Sequence, residues 1–240
     1  MIPARVGSER LKMKNLALIN DKPLIYYSIQ AAKKSGVFDK IVLNSDSLIF
    51  EKIAKRYDID FYLRPKHLGS SETRSDDVVA DFMKSYNSND TVVWVNTVNP
   101  FQSSQTISEV INYFFENNLD SLMTVEEKQV HVNYQNKPLN YKPEEPFYKT
   151  QDIEPVQPFV YSIMMWNVDS FLSQFKKNGY ALFSGKFGSF QVSGLITIKI
   201  KTEGDLLFAD KIMRGIDKSK ELDVLKYDEI VKWKNRILYA

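Results

Sequence analysis

The chain has 240 residues, 43% apolar and 13% aromatic, enough for the core of one large domain or of one domain with a small appendage. Its 32 basic residues nearly cancel its 30 acidic ones, leaving formal net charge +2, so it lacks the whole-molecule field of a general nucleic-acid binder and any anion site must be local. The absence of cysteine excludes disulfides, thiolate zinc sites and a cysteine nucleophile, and no apolar run approaches the ~18 residues of a membrane span. The first residues do not form a basic segment followed by an apolar stretch, so a cytoplasmic protein is expected.

In chain order, the first stretch is IPARVGSERLKMKN, Ile2 to Asn15, where Arg5, Arg10, Lys12 and Lys14 surround the pair Gly7-Ser8. Lys22 to Ser35 reads as a helix with Pro23 in its first turn and Gly36 to end it. KIVLNS, Lys40 to Ser45, reads as a strand carrying Asp46 beyond its end. A helix over Leu48 to Tyr57, the strand IDFYL and a helix over Ser75 to Ser85 follow, the last with Ser75 as cap and Asp76 and Asp77 in its first turn. TVVWVN, Thr91 to Asn96, is the best buried-strand candidate, followed by a helix through Thr106 to Glu116 and the strand DSLMTV.

The rhythm breaks from Glu127 to Gln157, a stretch rich in Lys, Asn, Pro and Tyr, with a hairpin-like Asn136-Lys137. It reads as an excursion within a single domain of residues 1–240 that leaves the core to meet a second subunit. PFVYSIMMW returns as a strand, Val168 to Lys177 as a helix and LITIKI, Leu195 to Ile200, as a strand. Thr202 with Asp205 makes a capping arrangement for the next helix, and LDVLKYDEIVKWKNRILYA reads as an amphipathic packing helix with Trp233 and a basic face at Lys232 and Lys234. Strand-helix alternation implies an α/β fold with a mostly parallel sheet covered on both faces, with ligands at the carboxyl ends of the strands. The basic loop, the Ser45-Asp46 end and the Asn96 end would converge there.

The basic loop lacks the Gly-Lys-Ser/Thr ending of a Walker loop and is not a GxGxxG turn, so on pattern alone an anion site and a solvated basic turn both stand. His67 and His131 have no partner at metal-ligand spacing and read as surface or packing residues. Asp76-Asp77 reads as a helix-dipole pair, Asp46 equally as a helix start or a ligand contact, and Tyr113-Phe114-Phe115 and Met164-Met165-Trp166 as core or dimer surface.

The order of landmarks discriminates further. IPAR, Gly-Ser, a basic loop, Lys-Asn, a KPL helix, SGVFD and a strand ending in Ser-Asp resemble the amino-terminal signature of the CMP-sugar cytidylyltransferases. These are the acylneuraminate (CMP-sialic acid synthetase) group and its pseudaminic, legionaminic and Kdo relatives. Looser matches continue through RPKHLGSSETRSDDVV, VNTVNPFQSSQTISEVI, YKTQDIEPV and SGLITIKIKTEGDLLFAD. The resemblance implies a Rossmann-like nucleotidyltransferase with a dimerisation excursion, a homodimer, CTP and an acidic 2-keto sugar as substrates, and Mg²⁺ as cofactor. It places Arg5, Gly7, Ser8, Lys14 and Asn15 on the phosphates and ribose of CTP, with Arg5 and Lys14 the catalytic cations. Arg64 and Ser75 fall near the nucleotide, and Asn96 and Gln151 on substrate-binding positions.

The same resemblance exposes departures. Lys199 and Lys201 occupy the positions of the family's two metal-holding aspartates, and ammonium groups do not ligate Mg²⁺, so no metal residue is assigned. Val98 stands where the Kdo-type relatives carry Asp, Val160 and Tyr161 where the family has Asn-Gly, Thr150 at the second Arg of its RRQD, and Glu9 where its loop often has Lys. Three readings follow: an active CMP-sugar synthetase, a catalytically inactive homologue acting as a regulatory or partner subunit, and a nucleotidyltransferase of other specificity. Only Met1 and Ile2 precede Pro3, so the first strand is expected to be shortened or the start to be internal.

Overall fold

The computed structural model describes residues 1–146 and 149–218. The expected helix containing Trp233 lies outside the described residues. The strands are β1 (Ile2–Ala4), β2 (Leu18–Ile19), β3 (Lys22–Pro23), β4 (Val42–Ser45), β5 (Asp60–Leu63), β6 (Thr91–Val95), β7 (Ser121–Val125), β8 (Asn133–Tyr134), β9 (Lys137–Pro138), β10 (Phe159–Asn167) and β11 (Phe187–Gln191). The helices are α1 (Leu24–Ser35), α2 (Ile49–Tyr57), α3 (Ser75–Met83), α4 (Ser104–Glu116), α5 (Val168–Asn178) and α6 (Glu203–Lys218).

Two groups of strands, β1-β4-β5 and β11-β7-β10-β6, make the sheet. They are joined where the Met1 N–H donates to the Val93 carbonyl (2.8 Å) and the Val95 N–H to the Met1 carbonyl (3.0 Å), the bonding pattern of a parallel pair. The order is therefore β11-β7-β10-β6-β1-β4-β5, and β10 alone runs antiparallel to its neighbours. Short β1 is thus a central strand.

The alternation of β10 shows how the sheet is covered. Ile163 and Met165 join one core with α1, α2 and α4 through Ile25, Ile29, Phe50, Ile107 and Phe114. Met164 and Trp166 point the other way, into a second core with Val79, Phe82 and Met83 of α3 and Phe171 of α5. Period-two side chains thereby bind helices to both faces, as expected for a three-layer α/β fold.

Several local expectations need correction. Helix α1 begins at Leu24, because Pro23 is extended (φ −62°, ψ 144°) and pairs with Leu18 in the β2-β3 ribbon. The cap position of α3 belongs to Arg74, whose guanidinium bonds Asp77 (3.0 and 2.7 Å), and not to Ser75. LITIKI is not a strand: Gly194–Thr197 forms a 3-10 turn, and the edge strand is β11. Ile196 and Ile200 plug two different apolar clusters, one with Val160 and Val192, the other with Leu11, Ile19 and Leu24, so their alternation never had to line one sheet face. The turn of the β8-β9 hairpin is Gln135-Asn136, both with positive φ, one residue earlier than the sequence suggests. Thr202 and Asp205 do form the expected reciprocal cap of α6: Asp205 Oδ2 accepts from the Thr202 N–H (2.8 Å) and Thr202 Oγ1 accepts from the Asp205 N–H (3.2 Å).

The excursion leaves the sheet after β7 and returns at β10 through a neck in which Lys128 and Val156 exchange backbone hydrogen bonds (2.9 and 3.0 Å). Asn140 ties its two arms together by donating to the Val130 and Glu154 carbonyls (both 2.9 Å). Val130, Tyr134 and Leu139 stay exposed on it.

Candidate active site

The basic loop springs from the end of β1 in the middle of the sheet. Asn15, 4% exposed, fastens it at its far end: its Nδ2 donates to the Arg5 carbonyl (3.3 Å) and its Oδ1 accepts from Thr97 Oγ1 (2.7 Å), beyond β6. The intervening chain turns back through Met13 in the left-handed region (φ 51°) and a 3-10 turn over Lys14–Leu16. Arg5 and Lys14 are thereby held on one side of a cavity of about 260 Å³.

Arg64 enters from the end of β5. Its N–H donates to the Ser45 carbonyl (2.9 Å), its Nη1 to Asn44 Oδ1 (3.2 Å), and its Nη2 lies 3.7 Å from Asp46 Oδ1. Gly69 packs onto Asp46 so tightly that a Cβ there would collide with the carboxylate. Ser70, Ser71 and Thr73 form the lip, α3 starts from the wall at Ser75 with its partially positive end, and Trp94, Asn96, Thr97 and Val98 close the β6 side.

Seven residues anticipated from the sequence therefore share one wall: Arg5, Ser8, Lys14, Asn15, Arg64, Ser75 and Asn96. Gly7 is near Gly69 but does not line the cavity, and Gln151 sits exposed on a 3-10 turn of the excursion, accepting from Gln129 Nε2 (3.3 Å) through its carbonyl. Trp94, Thr97 and the Ser70-Thr73 lip were not anticipated. The polar Thr97 directly after a buried strand was the signal for one of them.

Electrostatically the wall is one-sided. It carries no carboxylate and no histidine, and Asp46, just outside the lining, is already beside Arg64. Arg5 Nη1 and Arg64 Nε are buried without any hydrogen-bond partner. Burial lowers the Lys14 pKa, and the charges of Arg10 and Arg5 push it the same way. Burial also lowers Arg64, Asp46 opposes that, and Arg5 adds to it. Like charges crowded out of water with donors left over make this wall able to accept negative charge.

A second cleft of about 320 Å³ lies beyond the Asn96 wall, lined by Glu126, Lys128, Phe159, Thr197, Lys199, Lys201 and Asp205 among others. Asn96 Nδ2 donates to the Tyr161 carbonyl (3.2 Å) and the Ile200 N–H to the Val98 carbonyl (2.9 Å), so segments bordering the two cavities are hydrogen-bonded to each other. Lys199 Nζ donates to the Phe159 carbonyl (2.7 Å) and lies 5.3 Å from the centre of the Tyr161 ring.

These residues do not fit a divalent metal. Three ammonium groups, those of Lys128, Lys199 and Lys201, line the cleft, Asp205 Oδ2 is taken by the Lys201 and Thr202 N–H groups and the Thr202 hydroxyl, and Glu126 pairs with Lys128 (3.1 Å). Among the described residues no three His, Cys, Asp or Glu side chains are grouped for a metal.

Residues outside the cavities have plain structural roles. Asp76 is buried and its Oδ1 accepts from the Ala181 (2.6 Å) and Leu182 (3.1 Å) N–H groups, clamping α3 to the chain after α5, a role beyond the helix-dipole one expected of it. His67 is exposed, and His131 packs edge-on against Tyr141. Phe114 and the Met164-Met165-Trp166 run are core, while Phe115 is exposed. No described helix is long and apolar enough to cross a membrane.

Comparison with known proteins adds the following. A family model described as Cytidylyltransferase matches residues 1–162. The N-acylneuraminate cytidylyltransferase of Streptococcus agalactiae serotype V is 25% identical over 215 residues, 86% of this chain and 51% of that protein. The chain thus spans about half the length of that relative. The pseudaminic acid cytidylyltransferase of Campylobacter jejuni is 41% identical over 80 residues, 33% of this chain and 34% of that protein. The solved structure of CMP:2-keto-3-deoxy-manno-octonic acid synthetase complexed with CTP superposes with TM-score 0.66 at 14% identity, covering 90% of this chain and 97% of that one, a likeness of fold.

Proposed function

This chain belongs to the cytidylyltransferase family, and on that premise we propose that it transfers CMP from CTP to an acidic 2-keto sugar, a nonulosonic acid such as sialic, pseudaminic or legionaminic acid. Pyrophosphate is the second product.

One observation carries the reading: Arg5, Lys14 and Arg64 converge on a carboxylate-free cavity in which two guanidinium donors have no protein partner. A triphosphate supplies the missing acceptors and charge. Arg5 and Lys14 take the phosphates, with the loop backbone at Gly7-Ser8 and the start of α3 at Ser75 as further donors. Arg64, held by Asn44 and Asp46, adds a fixed cation. Asn15 acts through others, since its amide is committed to Arg5 and Thr97.

In the reaction the anomeric oxygen of the sugar bonds to the α-phosphorus and the bond from that phosphorus to the bridging oxygen breaks. Pyrophosphate departs with the electron pair and the hydroxyl proton passes to solvent. The wall offers no general base, so rate comes from alignment and from cations already placed where negative charge accumulates on the leaving group. The exposed Val130, Tyr134 and Leu139 of the excursion support pairing with a second copy of the chain.

Lys199 and Lys201 favour a second reading, a homologue that binds nucleotide without turnover. Incubation with CTP and a panel of nonulosonic acids, with and without Mg²⁺, separates the two by pyrophosphate measurement. Release with any acid establishes the first. No release, together with CTP protection in a thermal melt, establishes the second.

A further inference from the structure

The Lys199 cleft is built as carefully as the nucleotide cavity, and the transfer chemistry proposed above makes no use of it. Lys128, Lys199 and Lys201 line it against Glu126 and Asp205, and both acids are already engaged. Neither Lys199 nor Lys201 forms an ion pair among the described residues. Lys199 spends one of its three N–H donors on the Phe159 carbonyl, leaving two.

The backbone beneath it is strained. Tyr161 has φ 57°, a left-handed conformation costly for a bulky side chain, at a register shift in the pairing of β10 with β7. That conformation presents its ring to two neighbours at once: Phe159 stacks on it at 5.3 Å and Lys199 lies over it at 5.3 Å. The ring and the carbonyl together fix the ammonium in the cleft, half-buried and short of counter-charge. Burial, then Lys201, lower the Lys199 pKa, while Glu126 raises it and Lys128 lowers it again. A monoanion entering from solvent would relieve that imbalance.

The cleft is also correctly related to the nucleotide. Asn96 stands on the wall of the CTP cavity and bonds the carbonyl of Tyr161, while Lys199 and Lys201 flank Ile200, which bonds Val98 of that wall. A sugar bridging the two cavities would meet a cation that is not one of the Arg5, Lys14 and Arg64 group.

We propose that this cleft binds the carboxylate of the acidic acceptor, with Lys199 as the residue that contacts it and Lys201 as its companion charge. The proposal rests on the reading of the chain as a CMP transferase for acidic sugars. It gives the lysines a positive role, because the two positions at which the family resemblance implied acids for a metal now select for the substrate's own acid. Neutral sugars of the same shape are then refused at this subsite.

The test is calorimetric titration of the full chain with N-acetylneuraminate, its methyl ester and, separately, CTP. Wild type, Lys199→Met, Lys199→Arg and Lys201→Met are compared, with melting curves establishing that each is folded. Acid binding that is lost in the ester, weakened roughly tenfold or more by Lys199→Met, one charge-assisted contact's worth, and largely restored in Lys199→Arg supports the subsite, with CTP affinity unchanged throughout. Acid binding that is equal in wild type and Lys199→Met overturns it while the transferase reading stands. If CTP binds but neither the acid nor a panel of other nonulosonic acids does, the subsite and the acidic acceptor fall together. If the acid binds through Lys199 but CTP does not, the subsite stands and the transferase reading falls.

Discussion

Asp46 holds Arg64 at ion-pair distance and no closer: Oδ1 to Nη2 is 3.7 Å, and neither Asp46 Oδ1 nor Arg64 Nε has a hydrogen-bond partner. The carboxylate aims the guanidinium without saturating it. Replacing Arg64 or Arg5 by Ala is therefore expected to remove a charge-assisted contact of about 1.5–3 kcal/mol and weaken CTP roughly 10- to 150-fold. Calorimetry checks this, and Kd values within a factor of two of wild type would show that the nucleotide lies elsewhere.

Gly69→Ala tests the same aim from behind. The new methyl collides with the Asp46 carboxylate, which must swing away and take Arg64 with it. A loss of about 1–3 kcal/mol in stability is expected from overpacking, accompanied by weaker CTP binding. Chemical denaturation and titration of the same sample read both, and intact CTP affinity would separate Asp46 from the site.

Lys14 makes binding pH-dependent. Its pKa is lowered by burial first and by Arg10 and Arg5 after that, so its charge is lost earlier on raising pH than for a lysine at the ordinary 10.5. A phosphate anion prefers the charged form; CTP affinity is therefore full below the lowered pKa and declines as pH rises through it. Lys14→Arg should move the decline to higher pH and Arg10→Ala should shift it the same way. A titration series from neutral to alkaline pH in which all three proteins decline together would contradict this.

Asp76 offers a control in stability alone. Asp76→Ala leaves the buried Ala181 N–H and the partly buried Leu182 N–H without their acceptor, an expected cost of roughly 2–4 kcal/mol. The melting temperature should drop by about 5–15 °C, with CTP affinity unchanged in the folded protein because Asp76 does not line the cavity.

How much of this the sequence disclosed follows from the range of each interaction. Helix ends at Gly36 and the Thr202-Asp205 cap were legible because their partners lie within a few residues. Arg5, Ser8, Lys14 and Asn15 were legible as a group through the family resemblance, because one loop carries its landmarks; the loop's own pattern left a solvated basic turn equally open. The bond between Thr97 and Asn15 spans 82 residues and leaves no local trace, nor does the Asp76 clamp over 105. LITIKI has the alternation of a strand, yet its isoleucines serve separate clusters; periodicity reports burial, not what buries it. The strain at Tyr161 was equally invisible, since a tyrosine in a strand pattern reads as ordinary.

The place of β1 has a consequence for how the protein comes into being. The strand that carries the cationic loop is completed on one side by β4, about 40 residues on, but on the other only by Val93 and Val95, more than 90 residues away. Such a long-range closure is late in folding, because its entropy must be met before its bonds form. On the ribosome the nascent chain cannot assemble the cationic cavity until β6 has emerged. Nucleotide should consequently accelerate only the final stage of refolding, and slow amide exchange at Val95 should appear in step with CTP binding and not before it.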